Sequence, residues 1–469
     1  MVTRFHPNRP HTIKLEFADQ PVTSFGGLIL AERMAGRLRL WNALGGLLPA
    51  RRGYDWLTIV KSTIMGLLSG AQGTYASEPL RHEAALLKLL SLHGAPEEAT
   101  LWRSLEQLGR HQRDPQRLPA LQATLARRVL EKTARPELLL EGLFVPLFAD
   151  GTLLEGSARR EGTKVLADKG KGLMWSTLFV GPVLAAQRLA GPGEGEQACI
   201  RAMLPQVRCR VLKPLRLERR ALVLADSLHG DGPTLEQLEA EGLHYVVGAG
   251  KLKATAATLA EQPEHVWRDS GARAGRGWSA SAVCVCWLHC PDWPAKRLLV
   301  GRRWRREGEF IWNYAGVLTD LRERDVGPLL GRGLSFGEAI WRLYDAKAGM
   351  ETLLADGLSD LGLHHPPCRE LVRNEGFYAA AALAWALASA VDRIGGGRDP
   401  ERGRRLRRDG KPRRRPTPTR MRLWRLRREL FTVPARVIRH GRELVVRFLG
   451  LDAGTERKIE RYWAHIARC

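Results

Sequence analysis

The stretch ALVLADSLHGDGPTLEQLEAEGLHYVVGAG, residues 221–250, decides the fold class. Its first five residues form a short apolar run that predicts a buried strand, and Asp226 follows this run directly. The segment GPTLEQLEAEG then has helical spacing, and HYVVGAG predicts a second strand. A strand, a helix and a strand in succession are typical of an α/β layer fold, so we expect an α/β catalytic or binding core.

The rest of the chain extends this pattern in both directions. ELLLEGLFVPLFADGT, residues 137–152, is an apolar run that ends in Asp-Gly-Thr, and two further strand-rich and helical stretches follow it. Helical spacing dominates upstream of this run. The sequence therefore predicts a helical N-terminal DNA-binding region, a first part of the core, a β-rich insertion, a second part of the core, and a basic linker with a C-terminal region, over residues 1–138, 139–254, 255–325, 326–393 and 394–469.

The charge of the chain indicates a polyanionic partner. Lys and Arg total 74 against 50 Asp and Glu, which gives a net charge of +24 and a pI near 10.4. Such an excess favours nucleic acid, whose phosphates attract Lys and Arg. The Arg-rich segment 394–428 is either a solvated linker or a contact to DNA phosphates, and the sequence leaves both interpretations open.

The seven cysteines are too few and too scattered for a disulfide framework, which fits a reducing cytoplasm. Cys284, Cys286, His289 and Cys290 lie close together, but paired Cys-x2-Cys blocks are missing and SAVCVCWL reads as a strand, so we expect a strand there and no zinc site. The apolar run 380–391 is short for a membrane span and predicts a buried helix, and the N-terminus shows no signal-peptide pattern. We therefore expect a soluble, cytoplasmic protein.

Two aspartates are the strongest candidates for chemistry. Asp150 and Asp226 each follow an apolar strand and precede small or polar residues. Carboxylates at the ends of neighbouring strands meet at the sheet edge where α/β folds bind ligands, and their repulsion is relieved by divalent cations that suit phosphodiester chemistry. The alternative is that each aspartate only caps a turn after its strand.

A third candidate group lies in RLYDAKAGMETLL. Tyr344, Lys347 and Glu351 are spaced at i, i+3 and i+7, which predicts that they share one face of a single helix. A hydroxyl, a cation and a carboxylate in one stripe could form part of a site. An exposed helix face with a Lys-Glu pair is the alternative.

These motifs resemble those of the DDE transposases of bacterial insertion sequences, in the branch with a Tyr-x2-Arg-x3-Glu-x6-Lys signature. YDAKAGME is similar to that signature, the block 221–250 to the second-aspartate block, and ADGT to the first-aspartate block. Upstream, VTSFGGLILAERM and ATLWRSLEQL look like the helical N-terminal region of the branch, and VRNEGFYAAAALAWAL downstream resembles its Asn-containing apolar helix. The resemblance covers most of the chain, in the expected order.

The resemblance implies an RNase H-like catalytic core with a β-rich insertion between the second aspartate and the glutamate. It implies a transposase that cleaves double-stranded DNA at element ends and joins the 3′-hydroxyl to target DNA. Asp150, Asp226 and Glu351 would be the catalytic and metal-binding acids for Mg²⁺, with Mn²⁺ as a substitute, and Tyr344 and Lys347 would contact DNA. The partners would be the element ends and target DNA, the assembly a homodimer in the synaptic complex, and the location the bacterial nucleoid.

Two positions depart from the signature. Lys347 stands where the family has Arg, which retains the charge without the bidentate phosphate contact, and Leu358 stands where it has Lys. The departures keep open a non-enzymatic DNA-binding descendant, and a general nuclease of the same fold is a further alternative. The competing acids are Asp231 for the second position and Asp345 and Asp356 for the third.

Overall fold

The structure is a computed structural model, and it describes residues 20–133, 138–157, 159–166, 170–249, 253–270, 278–396, 421–441 and 443–469. Most of the Arg-rich segment, residues 397–420, lies outside the described residues, as do residues 1–19. The predicted DNA contact of that segment therefore stays a prediction.

The N-terminal part is helical, as its spacing predicts. After the short strand β1 (Val22–Thr23) it contains α1 (Leu28–Arg37), α2 (Leu40–Gly45), α3 (Trp56–Ser69), α4 (Glu78–Arg81), α5 (Ala84–Leu89), α6 (Glu98–Arg113) and α7 (Leu118–Glu131). The side chain of Asp55 caps α3 by accepting a hydrogen bond from the Thr58 N–H at 2.7 Å. Gly66 lets α3 pack directly on the turn at residues 73–77, because an added Cβ would lie 1.4 Å from the Ala76 carbonyl oxygen.

A ten-stranded mixed sheet forms the centre of the molecule, in the order β3-β4-β2-β6-β7-β11-β10-β9-β8, with β5 paired to β4. The strands β2, β6 and β7 run parallel, and the remaining pairings are antiparallel. Their bounds are β2 (Val145–Glu155), β3 (Lys164–Leu166), β4 (Gly170–Val180), β5 (Val183–Leu189), β6 (Ala221–Ala225), β7 (His244–Gly248), β8 (Arg268–Asp269), β9 (Ala280–Leu288), β10 (Arg297–Arg305) and β11 (Asn313–Thr319). The α/β class is therefore confirmed.

The strand-rich stretch 255–325 continues this sheet. Its strand β11 pairs with β7, so that β8 to β11 extend the central sheet on one side. The segment SAVCVCWL belongs to β9, in agreement with the strand prediction. This places a hairpin turn, residues 306–312, between β10 and β11.

The remaining helices cover the sheet and connect its strands. They are α8 (Glu196–Val207), α9 (Lys213–Leu215), α10 (Gly232–Ala240), α11 (Lys253–Ala260), α12 (Gly327–Leu330), α13 (Phe336–Tyr344), α14 (Lys347–Leu361), α15 (Leu371–Ala390), α16 (Leu423–Leu426) and α17 (Ala453–Arg468). Strands β12 (Ala435–His440) and β13 (Glu443–Phe448) form a small second sheet with β1, in the order β1-β12-β13.

Helix α15 is the central core helix and packs against α3, α6, α7 and β5. Among the described helices, the continuous helical span Leu371–Gly395 is long and apolar enough to cross a membrane, but 89% of its most apolar window is buried inside the protein. The glycines at its contact with α6 allow backbone contact, since a Cβ on Gly376 would lie 2.2 Å from the Leu105 carbonyl oxygen. The prediction of a buried helix is confirmed.

Candidate active site

Asp150 and Asp226 lie side by side on neighbouring parallel strands. The last residues that pair between β2 and β6 are Ala149 and Ala225, and each aspartate directly follows one of them in the chain. The side chain of Asp226 accepts a hydrogen bond from the Leu228 N–H at 2.9 Å, which starts a tight turn at residues 227–229. The expected turn-capping role and a place in a cluster of acids therefore occur together at Asp226.

The expectation that Asp150 ends its strand is wrong. Strand β2 continues to Glu155, and Asp150 pairs with Thr177 of β4 in the middle of the strand. The strand persists because β4 supplies an antiparallel partner well beyond the end of β6. Asp150 therefore lies in a more buried position than Asp226, with 18% of its side chain exposed against 37%.

Lys347 lies between two of the predicted acids. Its Nζ is 2.9 Å from Glu351 Oε1 and 3.9 Å from Asp150 Oδ1, and only 9% of its side chain is exposed. Burial alone would lower the pKa of the ammonium, but the charge of Asp150 and the hydrogen bond to Glu351 outweigh it and raise the pKa. The lysine therefore carries a stable positive charge inside the acidic cluster.

The pKa of Asp150 reflects its burial and the other carboxylates close to it. Burial raises the pKa of Asp150 to about 6, the nearby Lys347 ammonium opposes this rise, and Glu196, Asp226 and Glu351 add to it. Like charges that converge on one buried carboxylate disfavour its ionised form. A cation that enters such a site therefore stabilises it.

The face predicted for Tyr344, Lys347 and Glu351 is divided between two helices, so the expectation of one continuous helix is wrong. Tyr344 ends α13 and Lys347 begins α14. The chain turns there because α13 packs on the sheet strands β7, β9 and β10, whereas α14 packs on α15 and α16. Tyr344 still reaches the site, since a Cβ on Gly248 at the end of β7 would lie 2.9 Å from its hydroxyl oxygen.

Two further residues belong to the cluster and were missed from the sequence. Glu196, the first residue of α8, is 6% exposed and its Oε1 lies 2.8 Å from His229 Nε2. His229 Nε2 is in turn 4.0 Å from Asp226 Oδ1. In the described part of the chain His229 Nδ1 has no hydrogen-bond partner, which fits a ring whose proton sits on Nε2 and is donated to Glu196.

Gly151 makes room for this extra carboxylate. A Cβ at this position would lie 2.3 Å from Glu196 Oε2, so the glutamate packs on the bare backbone next to Asp150. In the sequence the signal for this contact is the glycine itself, a small residue directly after Asp150. Ligand atoms of Glu196, Asp226 and His229 lie within 4.8 Å of one another and form a possible metal-binding group.

The competing acids all have arginine partners away from this cluster. Asp231 pairs with Arg201 at 3.0 Å, Asp345 with Arg302 at 3.5 Å, and Asp356 with Arg422 at 3.2 Å. Leu358, at the position of the signature lysine, is 3% exposed and belongs to the core. The structure therefore brings Asp150, Asp226, Glu351, Tyr344 and Lys347 to one place and leaves the alternatives outside it.

The comparisons with known proteins are sparse. No family model matches the chain, and no curated protein matches it. Among solved structures it is similar to a piggyBac transposase in a synaptic complex with hairpin DNA, with 12% identity over 87% of this chain and 78% of that chain and a TM-score of 0.38. This likeness is too distant to assign a family to the chain.

Proposed function

We propose that the chain is a metal-dependent transposase that cuts DNA at the ends of an insertion sequence and joins the 3′-hydroxyl to target DNA. The observation that carries the proposal is the adjacent placement of Asp150 and Asp226 on β2 and β6, with Glu351 facing them across Lys347. Carboxylates grouped in this way are typical of phosphodiester chemistry assisted by divalent cations.

The order of the central strands supports an RNase H-like core. The strands β5, β4, β2, β6 and β7 are neighbours in that order, with β4 antiparallel to β2 and with β6 and β7 parallel to it. This is the arrangement expected of an RNase H-like sheet, in which β2 and β6 supply the two aspartates. We propose that stretch 255–325 is the β-rich insertion of that fold.

The residues present fit a divalent cation. Oxygen atoms of carboxylates are the ligands that Mg²⁺ prefers, and Asp150, Asp226 and Glu351 supply them. The Lys347 ammonium lies between Asp150 and Glu351, and its position there supports a site that favours positive charge. Bound Mg²⁺, or Mn²⁺ in its place, would activate the attacking oxygen and stabilise the leaving oxygen.

The side chains around the acids would position the DNA. Lys347 and the hydroxyl of Tyr344 would hold the phosphate at the cleavage point. Glu196 and His229 would hold the Asp226 side chain in position. In cleavage, a water oxygen bonds to phosphorus while the bond to the 3′-oxygen breaks. In joining, the freed 3′-oxygen bonds to a target phosphorus and the target's own bond to its 3′-oxygen breaks, with one proton passing from the attacking to the leaving oxygen in each step.

The test uses purified full-length chain and labelled duplexes that carry the DNA flanking its coding sequence. With Mg²⁺ or Mn²⁺ the wild type is expected to cut these duplexes, and Asp150→Ala and Glu351→Ala to bind them without cutting. Asp356→Ala is the matched control, because this acid lies on the same helix as Glu351 but pairs with Arg422. Undiminished cleavage by Asp150→Ala would refute the assignment.

A second candidate is a DNA-binding protein that has lost the chemistry of its ancestor. The burial of Leu358 favours it, because the signature lysine has been replaced by a core residue. Binding of the flanking duplexes without metal-dependent cleavage by the wild type would support this candidate. Equal cleavage of unrelated duplexes would indicate a general nuclease. A homodimer in the DNA complex and a nucleoid location remain part of the first proposal.

A further inference from the structure

The strand β13 (Glu443–Phe448) forms the outer edge of the small second sheet. Among the described residues it pairs with β12 on one side and with no strand on the other. The Leu444 and Val445 side chains are 38% and 37% exposed, so apolar surface accompanies the open backbone edge. An edge of this kind presents N–H and C=O groups that can pair with a further strand.

An apolar groove of about 710 Å³ lies next to the same edge. It is bounded by β13 and by the helices α1 and α17, and its walls include Val446, Phe448, Ile459 and Trp463. The Trp463 side chain is 37% exposed, and the Arg33 guanidinium lies over its ring at 3.6 Å from the centroid. Apolar surface that continues from an open strand into a groove is typical of a place where another chain binds.

The charged residues of β13 indicate what this chain is. Glu443 and Arg447 are both exposed, and neither forms an ion pair among the described residues. They lie on one face of the strand but four residues apart, about 13 Å along an extended chain, which is too far for them to pair with each other. Within the sheet, Arg447 lies opposite Arg436, a like charge. A strand edge protected by charge carries one sign, whereas this edge carries both signs without partners.

A second copy of β13 is complementary to this edge in one antiparallel register, centred on Val445. In that register Glu443 of each copy lies opposite Arg447 of the other, and Leu444 of each lies opposite Val446 of the other. A shift by one residue in either direction places Glu443 opposite an apolar side chain instead. The same surface therefore complements itself about a two-fold axis, as the interface of a symmetric dimer requires.

We propose that β13 pairs antiparallel with β13 of a second copy of this chain, so that the two small sheets join into one six-stranded sheet across a two-fold axis. The Leu444 and Val446 side chains of the two copies would meet on the side of the groove and cover apolar surface there. The pairing does not depend on the proposed chemistry. It goes beyond the proposed function by assigning the contact between two chains to one strand and by placing it in the protein without DNA.

The experiment measures oligomeric state by sedimentation velocity, with the full-length chain at roughly 50 μM and without DNA or divalent cations. Wild type is expected to sediment as a dimer. Glu443→Arg and Arg447→Glu are each expected to raise the Kd of the dimer by roughly a hundredfold, because symmetry brings each reversed charge opposite a like charge twice. The double variant with both changes has opposite charges at both contacts again and is expected to sediment as a dimer.

A mixture of the two single variants gives a second readout. Glu443→Arg chains carry only cations at these two positions and Arg447→Glu chains carry only acids, so the mixture is expected to form heterodimers although neither variant pairs with itself. The control variant is Arg439→Glu, which reverses an exposed charge on β12, a strand that already has partners on both sides. It should sediment as wild type does.

A monomeric wild type would overturn the proposal. Dimers that persist in both single variants would also overturn it, because they would place the interface elsewhere on the molecule. The absence of heterodimers from a mixture of single variants that unfold at the wild-type temperature would count equally against it. Since neither DNA nor metal is present, a failure of this pairing leaves the proposed function standing, and an enzyme without cleavage activity leaves the pairing standing.

Discussion

The amino ends and the carboxyl ends of the central parallel strands, here called the amino edge and the carboxyl edge of the sheet, differ in how their charged groups are paired. At the amino edge of β7 each group has a partner: His244 Nδ1 lies 2.7 Å from Asp320 Oδ2, and Arg297 donates two hydrogen bonds to Glu239 at 2.9 and 3.1 Å. At the carboxyl edge, among the described residues, four carboxylates lie beside the Lys347 ammonium and the His229 imidazole, namely Asp150, Glu196, Asp226 and Glu351.

The difference separates stability from function. Paired charges at the amino edge join β7 to the end of β11 and β10 to α10, whereas the crowded acids at the carboxyl edge cost folding free energy until a cation or a ligand relieves them. Strain of this kind persists in folded proteins where a site needs it.

Cleavage should depend on the carboxyl edge alone. Asp226→Asn is expected to reduce metal-dependent DNA cleavage by roughly three orders of magnitude, because it removes a charged ligand from the centre of the cluster. Asp320→Asn makes the same chemical change at the amino edge and should leave the rate within about twofold of wild type. Gel-based cleavage rates on the flanking duplexes measure both. Equal losses in the two variants would remove the functional distinction between the edges.

Removing a charge at the carboxyl edge should stabilise the metal-free fold, although it abolishes the proposed chemistry. Because burial raises the pKa of Asp150 to about 6, its ionised form opposes folding, and Asp150→Asn should raise the metal-free unfolding free energy by about 2 kcal/mol at neutral pH. The folded state takes up this proton first, so wild type gains stability as the pH falls from about 6 to about 4, and the advantage of the variant shrinks over that window. Urea unfolding with a chelator measures it. A variant less stable than wild type at neutral pH would contradict this account.

The amino edge should show a smaller pH dependence of the same sign, in a higher pH window. The hydrogen bond to Asp320 raises the pKa of His244 against the effect of burial. This pair therefore stabilises the fold below the ordinary histidine pKa of about 6.5 and loses that effect as the pH rises through the folded value. Asp320→Asn should cost less than about 1 kcal/mol, since both side chains are 30% exposed and solvent screens them. Thermal unfolding near pH 6 and near pH 9 tests this. A cost independent of pH would contradict it.

Much of the secondary structure could be predicted from the sequence. The strand before Asp226, the helices of the N-terminal part and the buried helix α15 follow from local apolar spacing, and the structure contains each of them. The errors occur where a distant partner overrides a local signal. Asp-Gly-Thr at residues 150–152 looks like the end of a strand, but pairing with β4 continues it.

The acidic cluster shows the same difference between what local sequence predicts and what contacts with distant residues add. Asp150 and Asp226 were predicted from their place after apolar runs, whereas Tyr344, Lys347 and Glu351 were predicted mainly from the resemblance of YDAKAGME to a known signature. These side chains meet because strands and helices that are distant in the chain pack together. The tertiary structure alone added Glu196, since α8 reaches the acids through packing on Gly151 and not through any spacing along the chain.

The tertiary structure also decided how the charges are distributed between the edges. Local sequence sets the period of strands and helices, because backbone geometry repeats over a few residues. Which carboxylate gains an arginine and which is left in a crowd depends on contacts between residues far apart in the chain, such as Lys347 and Asp150. Those contacts form only when the elements pack, so one sequence predicted the candidates and the fold determined their environment.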